Sequence, residues 1–137
     1  MDPIEVMCNC GAVAVRLTAP PVTQFYCHCD DCQRATGAPY IGVAVFPASA
    51  VSVQGDTDVW MLRTLPRRRC RACGTQLIGE VPGGEQIGVR ADRLPDGAFQ
   101  PQFHINCRHA LLPVQDALPH YAGFPPVFGG DDERVAW

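Results

Sequence analysis

The sequence predicts a mainly β fold of short antiparallel strands with at most one short helix. Three observations carry this. Gly and Pro number 13 each in 137 residues, well above ordinary usage, which favours many turns over long helices. Short alternating or β-branched runs recur at roughly 8–12 residue spacing, as in a sandwich or barrel-like pair of sheets. Seven of the eight cysteines fall in C-x-C and C-x-x-C groups, a spacing that suits metal chelation better than the bridging of distant strands.

The elements follow in order. Alternation over residues 12–17 (AVAVRL) predicts a half-buried strand that Pro20-Pro21 ends. Residues 22–26 predict a strand running into a cysteine group. Residues 30–36 form one short helix, with Asp30 as N-cap and Gly37 as terminator. Strands follow at 40–46 (YIGVAVF), 51–53 and 59–63, with a turn at Gly55-Asp56. Residues 76–81 and 86–90 flank Pro82-Gly83-Gly84 as a hairpin. Residues 103–105 make a last strand. One domain is expected over 1–126, with a loose tail over 127–137 whose Gly129-Gly130-Asp131-Asp132-Glu133 run lacks packing residues.

Bulk properties exclude several classes. A net charge of −3 gives no field that attracts nucleic acid. No apolar run approaches the ~20 residues that cross a bilayer. The N-terminus carries no basic segment followed by an apolar stretch, so no secretory signal is read. The cysteines are therefore expected reduced, in a cytoplasmic protein. All 11 basic residues are arginine. The single basic cluster, Arg67-Arg68-Arg69-Cys70-Arg71, is read as offsetting thiolate charge rather than meeting phosphates.

Three cysteine groups carry the chemistry: Cys8-Asn9-Cys10-Gly11, Cys27-His28-Cys29-Asp30-Asp31-Cys32 and Cys70-Arg71-Ala72-Cys73-Gly74. The first and third each end in Cys-Gly before a strand. A glycine there turns the backbone with φ > 0 at no steric cost, and the amides of the turn can donate to the sulfurs. Together these two knuckles offer four thiolates, the closed tetrahedral set of a structural zinc. Cys8, Cys10, Cys70 and Cys73 are paired on this basis. The middle group offers three cysteines and no following glycine. Three ligands with an open fourth position are the arrangement of a catalytic zinc, so Cys27, Cys29 and Cys32 are assigned to a second ion. Cys107 is either a small buried apolar residue, the preferred reading, or a fourth ligand that closes this site.

These motifs resemble the glutathione-dependent formaldehyde-activating enzyme family, whose domain is shared with the centromere protein V group. The resemblance rests on C-x-C-G-x-V from Cys8, C-H-C-x-x-C-x-R-x-T-G-A-P from Cys27 and C-x-x-C-G-T from Cys70. A weaker echo is Pro101-x-x-His104-Ile105, with Leu118-Pro119-x-Tyr121 beyond it. The resemblance implies an Mss4-like fold, two zinc ions per chain held as above, and a carbon–sulfur lyase-type activity joining glutathione to formaldehyde. Asn106-Cys107-Arg108 and Leu112-Pro113 stand where the family often carries a Ser and a Pro-Trp pair, a departure that widens the expected substrates to glutathione or another small thiol and formaldehyde or another small aldehyde.

In the enzyme reading Arg34, one turn past Cys32, meets a substrate carboxylate or oxyanion. His104 shuttles a proton, and His28 is a weaker candidate for the same role. No nucleic acid or membrane partner is expected. Two other readings stand beside this one: a non-catalytic zinc-stabilised interaction module, and a thiol redox switch at Cys29 and Cys32.

Overall fold

A computed structural model describes residues 2–81 and 83–137. The strands are β1 (Ile4–Met7), β2 (Ala14–Leu17), β3 (Thr23–Cys27), β4 (Ile41–Pro47), β5 (Val51–Gln54), β6 (Thr57–Met61), β7 (Pro66–Cys70), β8 (Gln76–Glu80), β9 (Gln86–Arg90) and β10 (Phe103–Ile105). The one α-helix among the described residues is α1 (Asp30–Thr36). Ten strands fall in two sheets, so the mainly β expectation holds. The backbone condenses into two compact units: residues 1–23 with 44–99, and residues 24–43 with 100–137.

In the first unit β2 lies between β1 and β5, antiparallel to both. The alternation read from the sequence sets its faces: Val13, Val15 and Leu17 are fully buried while Arg16 is exposed. Their neighbours in the core include Val6, Phe46, Leu77, Ile78 and Val89. Burying side chains of this size contributes about 1.5–3 kcal/mol each. The strands β6, β7, β8 and β9 form an antiparallel ladder in chain order. The hairpin expected at Pro82-Gly83-Gly84 joins β8 to β9; Pro82 itself lies outside the described residues, and the Val81 N–H donates to Gln86 O at 3.1 Å.

Two strands were not expected. β1 is short, and β7 reads as a basic cluster. β7 is a strand because it pairs with β6 on one side and β8 on the other, and Arg67 and Arg69 place their guanidinium groups over the Trp60 ring of β6, at 5.8 and 5.7 Å from its centroid. Arg68 donates to Thr57, and Arg71 pairs with Asp58 at 3.0 Å. β6 starts two residues earlier than expected because Thr57 and Asp58 pair with Cys70 and Arg69 of β7.

In the second unit β10 pairs with β3 in parallel, the exception to the antiparallel rule, with Ile105 opposite Cys27. The chain then returns beside β10: the His104 N–H donates to Pro119 O and the Tyr121 N–H to His104 O. Phe25, Phe103 and Phe128 pack ring against ring. Residues 127–137, expected as a loose tail, supply several contacts here. Arg134 bridges to Tyr121 and lies over its ring at 5.0 Å. Glu133 O accepts from Ala122 N–H, and the Trp137 ring meets His28 edge-on at 5.1 Å.

Candidate metal centres

All eight cysteines are free thiols, grouped as the sequence pairs them. In the first unit the Cys8, Cys10, Cys70 and Cys73 sulfurs lie within 4.8 Å of one another. Cys8 to Cys10 is 3.6 Å and Cys10 to Cys70 is 3.7 Å. A disulfide needs about 2.05 Å. Sulfurs around one zinc at its usual bond length of about 2.3 Å stand about 3.8 Å apart. The donor set and its spacing therefore fit a zinc ion.

Both knuckles have one design. Gly11 and Gly74 take φ of +81° and +76°, the left-handed turn read from Cys-Gly. The Cys8 N–H donates to Val13 O and the Cys70 N–H to Thr75 O, at 3.0 and 2.9 Å. Amides of Val13 and Cys73 point at the Cys8 and Cys70 sulfurs, at 3.3 and 3.4 Å. In each knuckle the first cysteine is buried and the second exposed. Contact with the Thr75 hydroxyl at 3.0 Å, then with its amide, draws the Cys73 thiol down to about 5.

In the second unit the Cys27, Cys29 and Cys32 sulfurs also lie within 4.8 Å of one another, with Cys27 to Cys32 at 3.6 Å. Cys107 is not in this group. It is buried in the 3-10 turn Cys107–His109, and burial first, then the Asp116 charge, pushes its thiol up to about 12. The fourth side of the three-thiol group thus lacks a protein sulfur among the described residues. Proton-sharing with Cys29, then with Cys32, and then burial hold the Cys27 thiol well above the ordinary range. Three crowded thiols cannot all ionise unless a cation balances them, which again fits a metal ion.

The helix N-cap is Cys29, not Asp30: the Cys29 sulfur accepts from Cys32 N–H at 3.3 Å. A thiolate three residues upstream occupies the position a capping oxygen would take, so a single C-x-x-C both starts the helix and aims two sulfurs together. Gly37 ends the helix with φ of +77°, as expected.

His104 is fully buried. It stands in a chain of hydrogen bonds: His28 Nε2 to His104 Nδ1 at 2.9 Å, His104 Nε2 to Asp116 Oδ2 at 2.8 Å, and Asp116 Oδ1 to His120 Nε2 at 2.9 Å. Burial, then the closeness of a second imidazole, His104, pushes His28 down to about 4. Arg34 is exposed in the last turn of α1. Sequence reasoning missed Asp116 and His120; their i, i+4 spacing was the available signal. It also missed the function of Asn106, whose side-chain amide donates to the Cys27 sulfur at 3.6 Å. Asn106 is the one described non-glycine residue in the left-handed region, with φ of +56°, where Asn is among the few side chains tolerated.

Fold and side chains together define a mainly β protein with two separate cysteine groups able to hold metal ions. The chain belongs to the family whose model, described as glutathione-dependent formaldehyde-activating enzyme, matches residues 3–109. It is 29% identical over 89 residues to a Sordaria macrospora protein named "Putative glutathione-dependent formaldehyde-activating enzyme". That match takes in 58% of this chain and 38% of the relative, so the chain spans well under half of that protein's length. A crystal structure of a Rhodobacter sphaeroides protein superposes with a TM-score of 0.56 at 23% identity, covering 68% of this chain and 89% of that one. At that identity the likeness speaks for the fold alone.

Proposed function

We propose that the protein is a zinc-dependent carbon–sulfur lyase-type enzyme, which adds a thiol such as glutathione to formaldehyde or a related small aldehyde, or runs the reverse. The observation that carries this is the three-thiol group of Cys27, Cys29 and Cys32, to which no fourth protein sulfur closes. Cys8, Cys10, Cys70 and Cys73 hold a structural zinc, and Cys27, Cys29 and Cys32 hold the second ion. Held by these three thiolates, a zinc ion would supply Lewis-acid chemistry to an incoming thiol or aldehyde oxygen. In the reaction a carbon–sulfur bond forms between the thiol sulfur and the aldehyde carbon, and the thiol proton ends on the new hydroxyl.

The chain's own groups divide the remaining work. The Asn106 amide donates to Cys27 and spreads the charge that three thiolates gather. Asp116 holds the His104 Nε2 proton, which keeps that buried imidazole in one orientation. Arg34, exposed in the last turn of α1, takes a carboxylate of a peptide thiol such as glutathione. The reading places the protein in the cytoplasm, where thiols stay reduced.

The test is zinc-edge X-ray absorption on the two-zinc protein before and after glutathione. An added sulfur neighbour is expected in the wild type and not in Cys29→Ser. An unchanged sulfur shell in the wild type defeats the proposal. Exchange NMR of glutathione, formaldehyde and their adduct gives the turnover, which Cys29→Ser should abolish.

A further inference from the structure

We infer that Asp116 is a positioning residue for the three-thiol group: through His104 it fixes the tautomer and ring of His28, and with them the turn that carries Cys27 and Cys29. This rests on the reading of that group as the thiol-handling metal site.

Proton counting along the chain of hydrogen bonds assigns each ring nitrogen. An ionised carboxylate only accepts hydrogen bonds. Asp116 meets two imidazoles, each through a separate oxygen, at 2.8 and 2.9 Å. Both His104 Nε2 and His120 Nε2 must therefore carry protons. His104 is fully buried, and burial disfavours its charged form. A neutral His104 with its proton on Nε2 has a bare Nδ1. That nitrogen lies 2.9 Å from His28 Nε2, so the proton between them belongs to His28. His28 is then left with a bare Nδ1, which is buried and has no partner.

The opposite assignment is worse. With both protons reversed, His28 Nδ1–H would be a buried donor without an acceptor, and orphaned buried N–H groups are the rarest kind. The same count weighs against a metal on the His104, Asp116 and His120 group, close as those atoms lie. Such an ion would need both Nε2 atoms bare and would force the costly arrangement on His28.

His28 is the middle residue of the C-x-C turn, so its anchoring is felt on both sides. Its N–H donates to Ile105 O at 3.1 Å, and its carbonyl accepts from Gln33 Nε2 at 2.8 Å. Its ring stacks on Tyr40 at 4.8 Å between centroids. The hydrogen bond to His104 is the only one the ring makes among the described residues. Asp116 sets its direction although it contacts neither cysteine.

The chain has only four histidines, so long-range proton–nitrogen NMR on the labelled, cadmium-loaded full chain resolves them. The wild type should show His28 and His104 each as a single tautomer with the proton on Nε2. In Asp116→Ala both should become mixed. The cadmium resonance of the three-thiol group should shift, and its cadmium affinity, read by chelator competition, should fall about tenfold or more, while the four-thiol resonance stays in place. His120→Phe removes only the other arm and should leave both tautomers unchanged. The inference is overturned if wild-type His104 carries no proton on Nε2, as it would with a third bound ion. It is equally overturned if Asp116→Ala leaves the tautomers and the cadmium signal in place. If Asp116→Ala does not fold, the wild-type tautomers and His120→Phe decide alone. None of these readouts depends on turnover, so failure of the proposed reaction is seen separately.

Discussion

The two cysteine groups are built on opposite plans. The four-thiol group joins two knuckles from distant parts of the chain, and each knuckle is complete in itself: a left-handed glycine, an amide on the buried sulfur, a strand leading away. The three-thiol group comes from a single segment, Cys27 to Cys32, and its support comes from elsewhere in the sequence. Asn106 reaches the Cys27 sulfur, and the His28, His104, Asp116 and His120 chain stands behind the turn. A closed group of this kind links chain segments. On the proposed reading the three-thiol group is the open one, and it leans on outside support in place of a fourth sulfur.

Mutation of one cysteine in each group separates the two plans most visibly. On the proposed assignment Cys70→Ser removes a ligand of the structural zinc, an ion that contributes on the order of 10 kcal/mol to folding. No cooperative thermal transition is expected by circular dichroism. Cys29→Ser should behave differently. Serine is a preferred N-cap, so α1 keeps its start; the protein should fold, lose one metal equivalent by elemental analysis, and keep the other. Equal unfolding by both changes would erase the distinction between the centres.

Acid should act on the second unit through its buried imidazoles. The ordinary pKa of His28 is 6.5 and in the fold it is pushed down to about 4. A depressed folded value means that the unfolded chain binds the proton first. The contribution is thus complete above about pH 6.5 and is lost as pH falls towards about 4, with a size on the order of 3 kcal/mol. Urea unfolding of the wild type against His28→Gln across that window should show a difference that shrinks with acid. A difference that is flat or grows would contradict the burial argument.

The smallest effect sharpens how support is delivered. Asn106→Gly relieves the left-handed φ of +56° while deleting the amide that donates to Cys27. Global stability should hold or rise slightly, yet metal affinity of the three-thiol group should drop about tenfold. Chelator competition measures the second quantity and thermal melting the first. A loss of stability with unchanged affinity would make Asn106 a backbone residue only.

Much of this was legible beforehand, and the reason is locality. Strands β9 and β10 have the bounds expected for them, and the α1 terminator is the glycine expected. The Cys-Gly knuckles need only their own few residues to be recognised. Where reading failed, a distant partner had decided the outcome. β7 looks like a charged loop until Trp60 is placed under its arginines. The helix cap passed from Asp30 to Cys29 because the sulfur is held where the other thiols gather.

Spacing and glycine placement were enough to say which cysteines stand together, since they fix the direction of each sulfur within a turn. Tertiary structure alone decided what surrounds the open group. Cys27 and Asn106 are 79 positions apart, and His28 and His104 are 76. Over such separations no local pattern survives, because the energy that brings the partners together is spread through the sheets and the core rather than written in the residues between them.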